Sequence, residues 1–344
     1  MSAPELGSTV RELIAEGKGI LAADESTPTI TKRFARLGID STADIRRNYR
    51  EILCSTSGLS EFVSGVILYD ETIRQQTRAG VPFPNALKEW GIIPGIKVDT
   101  GAKDLAGSNG EKVTEGLDGL RERLAEYGEM GARFAKWRAV IAIGEGKPTD
   151  YCLATNAHAL GRYAALCQEA GVVPIVEPEV TMDGDHTIDD CYAATERTLH
   201  ELFDELLDQH VELEHILLKA NMVISGKDCP QQAGVEEVAR KSIRCLRNVV
   251  PAAVRGVVFL SGGQSARLAT AHLNEMNRLD DQPWRLGFSY ARALQGPALE
   301  SWRGEDANRE AAQNALHHRA RCTSAATLGK YSADMELADP VRSP

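Results

Sequence analysis

One lysine stands where a reactive side chain would be useful, at the end of a short apolar run. Ile216, Leu217 and Leu218 form a run that is typical of a strand buried on both faces, and Lys219 follows directly. A lysine there must point into a cavity, pair with an acid or release its proton. The neutral amine is a nucleophile, and burial and neighbouring cations favour it. The structural alternative is a lysine that pairs with an acid or covers apolar surface with its stem.

The same pattern recurs at the ends of other apolar runs. Eight further side chains occupy such positions, and they are of types that bind anions or transfer protons. They are Asp24, Lys97, Lys136, Arg138, Glu177, Ser261, Ser289 and Arg292. Independent structural pairing explains any two of the nine residues well but all nine poorly, because a ring of charges at strand ends is the arrangement of barrel enzymes.

Eight short apolar runs alternate with helical segments along the chain. The runs are residues 20–23, 66–69, 92–96, 132–138, 172–176, 216–218, 257–260 and 286–288. This alternation predicts βα units, and eight units predict an α/β fold closed into a (β/α)8 TIM barrel. We expect a single domain over residues 1–344, with an extra N-terminal helix, the barrel at about 19–295, and a C-terminal helical arm and tail at about 296–344. An open doubly wound sheet is the competing architecture.

Local signals predict the helices and loops between these runs. Ser41 and Asp44 match a capping box that opens a helix through Ile52. The glycine-rich polar stretch 101–110 predicts a loop, and residues 297–326 carry a helical pattern. In residues 132–138, alternation places Phe134, Lys136 and Arg138 on one face of a strand and Ala135 and Trp137 on the other.

Composition limits the partners and the compartment. The chain has 344 residues and a formal net charge of −10, which argues against nucleic acid or an anionic membrane as a general partner. No apolar run approaches the length of a membrane span, and the first residues do not form a secretion signal. The seven cysteines are scattered, odd in number and without CxxC spacing, so we expect reduced thiols in a cytoplasmic protein.

The predicted mouth of the barrel carries an excess of positive charge. Five cations at strand ends stand against three carboxylates, Asp24, Glu177 and Glu179, which indicates an anionic substrate. Ser261 and Gly262 allow backbone N–H groups to approach an oxyanion, although a plain tight turn explains them equally well. Lys32 and Arg33 follow Ser26 and are candidates for a second phosphate site, the alternative being a solvated helix face.

Lysine nucleophiles attack carbonyls to form Schiff bases, which act as electron sinks for carbon–carbon cleavage. Such a reaction needs carboxyl groups for the water lost from the carbinolamine and for the substrate hydroxyl, and Glu177 and Asp24 are available. Lys136 and Arg138 favour the neutral amine of Lys219. The chain has no P-loop and no complete dinucleotide fingerprint, and its histidines do not cluster at metal-ligand spacings. We therefore expect neither a metal nor a cofactor.

Seven segments together form a specific signature. They are GILAADEST (19–27), GIKVD (95–99), AKWR (135–138), PIVEPE (174–179), LLKANM (217–222), FLSGGQS (259–265) and SYARALQ (289–295). In this order they resemble class I fructose-bisphosphate aldolase from about Gly17 to Tyr331. The resemblance implies a metal-independent, usually tetrameric barrel enzyme of glycolysis and gluconeogenesis. Such enzymes cleave fructose 1,6-bisphosphate reversibly to dihydroxyacetone phosphate and glyceraldehyde 3-phosphate.

The resemblance also implies roles for individual residues. Lys219 forms the Schiff base, Glu177 is the acid/base for carbinolamine dehydration, and Asp24 handles the proton of the C4 hydroxyl. Substrate binding and the charge balance of the site are assigned to Lys136, Lys97 and Arg138, with Glu179 beside them. The remaining assignments concern the two phosphates. The phosphate at the ketose end of the substrate is assigned to Ser261, Gly262, Ser289 and Arg292. The other phosphate is assigned to Ser26, Lys32 and Arg33.

Three departures from the family pattern bear on these expectations. Ala220 stands where proline is usual, and Ala291 stands where glycine is usual, which predicts a clash if the backbone there has positive φ. The chain ends 341–344 without the terminal tyrosine that animal members use in proton exchange. The C3 proton-transfer group therefore stays open, with Glu177 and bound phosphate as candidates. The alternative functions are another Schiff-base lyase or transaldolase, and a barrel that binds sugar phosphate or a protein without catalysis.

Overall fold

In the computed structural model, which describes residues 3–337, eight parallel strands close into a barrel. The strands in chain order are β1 (Gly19–Ala23), β2 (Val63–Leu68), β3 (Ile93–Lys97), β4 (Gly101–Asp104), β5 (Lys112–Glu115), β6 (Phe134–Ile141), β7 (Val173–Val180), β8 (Leu217–Ala220), β9 (Gly256–Phe259) and β10 (Arg285–Tyr290). All except β4 and β5 belong to the barrel, and β1 pairs with both β2 and β10 to complete the ring. The predicted TIM barrel is confirmed, and the open sheet is wrong.

Helices connect the strands and cover the outside of the barrel. They are α1 (Ala3–Leu13), α2 (Thr27–Ala35), α3 (Ala43–Cys54), α4 (Asp70–Ile73), α5 (Phe83–Glu89), α6 (Leu120–Met130), α7 (Asp150–Glu169), α8 (Ile188–Asp208), α9 (Val235–Val249), α10 (Ala266–Arg278), α11 (Arg292–Trp302) and α12 (Arg309–Thr327). Among residues 3–337, none of the helices combines the length and the apolar character needed to cross a bilayer.

The lower half of the barrel interior is apolar and is closed by α1. Val10 and Leu13 of α1 belong to the same buried cluster as the inward-facing Phe134 and Leu217. Gly95 leaves the space for the Phe134 ring, because a Cβ at this position would lie 2.3 Å from the ring atoms. Burying side chains of this size stabilises a fold by roughly 1.5–3 kcal/mol each. Polar side chains are therefore confined to the opposite end of the barrel.

Strand alternation decides which residues reach that end. On β6, Ala135 and Trp137 pack outward against the helices, while Phe134 packs inside the barrel, as predicted. Lys136 and Arg138 continue the inward-facing series one and two steps above Phe134. The same alternation on β7 places Glu177 and Glu179 above Ile175. Glu177 and Glu179 lie within β7, although the apolar run 172–176 places them past a strand end, and β6 continues to Ile141, beyond Lys136 and Arg138.

Part of the stretch predicted as a loop at 101–110 is a strand, so that prediction is wrong there. β4 and β5 form an antiparallel hairpin that lies on the barrel rim. Thr114 of β5 donates its hydroxyl proton to the carbonyl oxygen of Arg138 at 2.7 Å. The buried carboxylate of Glu111 accepts bonds from the backbone and the hydroxyl of Thr149, at the start of α7. Tertiary hydrogen bonds thus stabilise strands that composition alone does not indicate.

Two helix predictions also need correction. The cap of α3 is Thr42, whose hydroxyl accepts from the Ile45 backbone at 3.2 Å, and not Ser41. The predicted continuous helix at 297–326 is two helices, because the chain turns at Arg303 and Gly304, both with positive φ. The first of these, α11, begins at Arg292, five residues earlier than predicted.

Candidate active site

One cavity of about 410 Å³ opens at the carboxyl ends of the barrel strands. It is lined by the four residues predicted as catalytic and the ten predicted to bind substrate. A second cavity of about 300 Å³ lies at the opposite end of the barrel and contains none of them. Ligands of this fold bind at the carboxyl ends of the strands, so the first cavity is the candidate active site.

At the base of the cavity, four charged side chains form an alternating chain. The Lys136 ammonium lies 2.9 Å from Asp24 and 3.2 Å from Glu177, and the other oxygen of Glu177 lies 3.0 Å from Nζ of Lys219. Each side chain is at most 11% exposed. Negative and positive groups therefore alternate in the order Asp24, Lys136, Glu177, Lys219, and the order leaves Lys219 in contact with a carboxylate.

Mutual charge keeps Asp24, Lys136 and Glu177 ionised despite their burial. Burial disfavours both carboxylates, but the charges of Lys136 and Lys219 outweigh it and hold the pKa of Asp24 and of Glu177 below their usual values. Burial likewise disfavours the Lys136 ammonium, but Asp24 and Glu177 raise its pKa above the usual value. Glu177 is therefore an ionised carboxylate in direct contact with both Lys136 and Lys219.

Two further cations above this layer, Arg138 and Lys97, are also paired. Arg138 binds Glu179, and the Lys97 ammonium lies 2.5 Å from Asp99. Lys136 and Arg138, the cations expected to favour the neutral amine of Lys219, each have a carboxylate partner. Asp99 also accepts a bond from the Arg138 backbone at 3.2 Å, which joins β3 to β6 at the rim.

One side of the cavity offers donors to an anion. Ser261 and Gly262 follow β9, Ser289 lies in β10, and Arg292 opens α11. The hydroxyl of Ser289 is buried and has no hydrogen-bond partner among the described residues. Burial, with the positive charge of Arg33 nearby, lowers the pKa of Arg292, although a guanidinium stays protonated. This side of the cavity is therefore short of negative charge.

The adjacent side is formed by α2 and by the loop after β1, the strand that pairs with β10. The Ser26 hydroxyl lies 3.1 Å from that of Thr29, and Lys32 is exposed at the cavity edge. Arg33 is bound to the buried Glu25, which also lies 2.5 Å from Arg50. These contacts fix Arg33 at the cavity wall.

Several lining residues were not among those predicted. Glu25 lies next to Asp24 in sequence, and its burial between two arginines is a tertiary feature without a local signal. Thr29 and Arg36 follow Ser26 and Lys32 at helical spacing, on the same α2 face, and that spacing is the signal that would have found them.

The structure accommodates the two alanines that depart from the family pattern, Ala220 and Ala291. Ala291 has φ of −101°, so the predicted clash from a positive φ does not arise. Ala220 ends β8, and its carbonyl oxygen accepts from the Leu260 backbone at 3.0 Å. Neither alanine disturbs the strand or the helix that carries the neighbouring site residue.

One group of side chains of metal-ligand types lies outside the cavity. Potential ligand atoms of His318, Cys322 and Glu336 lie within 4.8 Å of one another. Both oxygens of Glu336 are bound by Arg319, at 2.5 and 2.6 Å, and one also accepts the Tyr331 hydroxyl at 2.8 Å. We assign Glu336 to anchoring the segment after α12. The chain end 341–344, discussed above for its lack of tyrosine, lies outside the described residues.

Deleting Ser332–Pro344 should destabilise the protein by about 2–3 kcal/mol, because it leaves the buried Arg319 without its carboxylate. Turnover of the folded fraction should change little. Urea unfolding and the cleavage rate measure the two effects. Glu336→Gln should reproduce most of the stability loss, and Asp334→Asn, an exposed change on the same turn, should not. A collapse of the cleavage rate in a folded deletion variant would show that the tail supplies a proton-transfer group.

Comparison with known proteins gives a consistent result. Residues 5–342 match the family Glycolytic, described as fructose-bisphosphate aldolase class-I. The chain is 57% identical over 332 residues to a probable fructose-bisphosphate aldolase class 1 of Xanthomonas campestris pv. campestris, covering 96% of this chain and 99% of that protein. It is 50% identical to fructose-bisphosphate aldolase of Dictyostelium discoideum, with 96% and 94% covered.

A solved structure agrees in fold. It is the fructose-bisphosphate aldolase of Plasmodium falciparum in a complex with TRAP and a small-molecule inhibitor, which superposes with a TM-score of 0.95 at 48% identity and covers 96% of each chain. The family is one of carbon–carbon lyases that act on sugar phosphates through a lysine Schiff base in glycolysis. The chain carries out that reaction, the cleavage of fructose 1,6-bisphosphate to dihydroxyacetone phosphate and glyceraldehyde 3-phosphate. It belongs to the class I fructose-bisphosphate aldolase family.

Proposed function

We propose that Lys219 is the residue that forms the Schiff base in this chain. Glu177 accepts a proton from Lys219, and the neutral amine then attacks the C2 carbonyl of the open-chain ketose. A proton moves from the new C–N nitrogen to the alkoxide oxygen, which gives the neutral carbinolamine. Glu177 returns the proton to the carbinolamine hydroxyl, which leaves as water. The contact of 3.0 Å between Nζ of Lys219 and Glu177 is the observation that carries this proposal.

Cleavage requires a base on the C4 hydroxyl, and we assign it to Asp24. When Asp24 takes this proton, the C3–C4 bond breaks and its electron pair moves into the iminium to form an enamine. Lys136 lies between the two carboxylates and keeps both ionised. Lys97, Arg138 and Glu179 line the intervening cavity wall and orient the substrate hydroxyls.

The two phosphates of the substrate fit the two sides of the cavity. We place the ketose phosphate at Ser261, Gly262, Ser289 and Arg292, where the buried Ser289 hydroxyl has no partner among the described residues. The second phosphate goes to the α2 side, at Ser26, Lys32 and Arg33. Cationic groups on both sides of the cavity favour a substrate with two phosphates over one with a single phosphate, which another Schiff-base lyase would use. Comparing the turnover of sugars with one and with two phosphates tests this.

Arg292→Ala should raise KM for fructose 1,6-bisphosphate by about 10–100-fold, because the guanidinium is assigned to a charge-assisted bond with the phosphate. The melting temperature should change little, since Arg292 lies at the cavity wall and not in the apolar core. Steady-state kinetics and thermal unfolding measure both. Arg240→Ala, an exposed arginine on α9, is the control. Equal affinity in Arg292→Ala and the wild type would remove Arg292 from the phosphate site.

We also propose that the chain acts as a homotetramer in the cytoplasm, with residues 1–344 forming one functional domain. The oligomeric state rests on the family resemblance, and sedimentation of the purified protein tests it. Free thiols at all seven cysteines, each buried, support a reducing compartment.

A further inference from the structure

The loop between β9 and α10 has an unusual conformation beside the cavity. Gly262 and Gly263 have φ of 58° and 92°, and the backbone N–H of Gln264 donates to the Ser261 carbonyl at 3.0 Å. A Cβ at Gly263 would lie 3.0 Å from a guanidinium nitrogen of Arg292. The loop therefore packs directly against Arg292, and a small shift of the loop would move Ser261 and Gly262 at the cavity wall.

The side chain of Gln264 is held from two sides in the protein interior. Its amide nitrogen donates to the sulfur of Met222 at 3.5 Å, and its amide oxygen lies 2.7 Å from Nδ1 of His272 on α10. Gln264 and His272 are only 9% and 2% exposed. Since Met222 lies three residues after Lys219, these contacts connect the loop after β9 to the segment that follows β8, the strand that carries Lys219.

The surroundings of His272 fix its protonation state. An amide oxygen only accepts hydrogen bonds, so the imidazole donates from Nδ1. Its Nε2 is buried without a hydrogen-bond partner among the described residues, and the opposite tautomer would leave an N–H there without an acceptor. Burial lowers the pKa of His272 to about 4, so the ring is neutral at physiological pH. His272 thus offers Gln264 one well-defined donor.

We propose that His272 and Gln264 are positioning residues of the ketose-phosphate site, which hold the loop 261–265 in the conformation that presents Ser261 and Gly262 to the phosphate. This inference rests on the proposed phosphate site. Neither side chain lines the cavity, so both act through the loop.

The test compares variants by KM, kcat and melting temperature. His272→Leu removes the donor to Gln264, whereas His272→Asn keeps a donor near the Nδ1 position. Gln264→Met removes the amide that His272 contacts. Thr270→Val is the matched control, because Thr270 is buried on the same helix and bonds Arg319 instead of the loop. The affinity of each variant for inorganic phosphate is measured by competition against fructose 1,6-bisphosphate.

We expect His272→Leu and Gln264→Met each to raise KM and the inhibition constant of phosphate about tenfold, with a smaller change in kcat. His272→Asn should restore most of the affinity. The double variant should show about the same tenfold effect rather than a hundredfold one, since both residues serve one contact. Thr270→Val should lower the melting temperature without changing KM.

Two results separate the possible failures. If Arg292→Ala weakens phosphate binding while His272→Leu and Gln264→Met do not, the positioning role is wrong and the phosphate site stands. If Arg292→Ala also leaves phosphate binding unchanged, the proposed phosphate site itself is wrong. Independent, multiplicative effects of the two positioning variants would also overturn the inference.

Discussion

Lys219→Ala and Lys219→Arg are both expected to lose the cleavage of fructose 1,6-bisphosphate by at least about 10⁴-fold. Alanine removes the nucleophile, and arginine keeps the charge but cannot become a neutral amine. Treatment of the wild type with borohydride and dihydroxyacetone phosphate should add one substrate-derived mass per chain, measured on the intact protein. Neither variant should be labelled.

The fold should survive in Lys219→Ala, because Glu177 keeps Lys136 as its partner when Lys219 is removed. Circular dichroism and thermal unfolding serve as the control. Labelling that persists in Lys219→Ala would place the Schiff base on another lysine of the cavity, Lys136 or Lys97. Substantial activity in Lys219→Arg would rule out covalent catalysis through this residue.

Glu177→Gln should lower kcat by about 10²–10⁴-fold, because the amide keeps the shape of the side chain but cannot accept a proton from Lys219. The rate at which borohydride traps the enzyme with dihydroxyacetone phosphate should fall in parallel, which separates iminium formation from later steps. Glu179→Gln, two residues along the same strand and bound to Arg138, is the comparison and should cost less. A kcat for Glu177→Gln within a few-fold of the wild type would move the acid/base role to another group.

The same variant has a consequence for stability. Lys136 and Lys219 hold the pKa of Glu177 below its usual value of 4.5, so the paired carboxylate stabilises the wild type above that pH and loses this contribution as the pH falls. Glu177→Gln should be less stable at neutral pH, and its deficit should shrink in acid. Unfolding by urea at several pH values measures the difference.

The sequence predicts the barrel and the residues of its mouth because both depend on local patterns. Alternation alone places Lys136 and Arg138 on the inner face of β6, and the apolar runs locate the strands. Partners are not predictable in this way. The pairing of Arg138 with Glu179 depends on how far β6 and β7 extend past their apolar runs, and the pairing of Glu25 with Arg33 depends on how α2 packs after β1. The hairpin β4–β5 was missed for a related reason, since its strands are stabilised by contacts with β6 and α7.

The alternating order of Asp24, Lys136, Glu177 and Lys219 has a consequence for the energetics of turnover. Two negative and two positive charges sum to zero before the reaction begins. In the proposed mechanism, transfer of a proton from Lys219 to Glu177 neutralises one charge of each sign, and the iminium that follows restores a positive charge just as Glu177 regains its negative one. The buried region therefore keeps zero net charge through iminium formation, and the surrounding dipoles need little reorientation between one intermediate and the next.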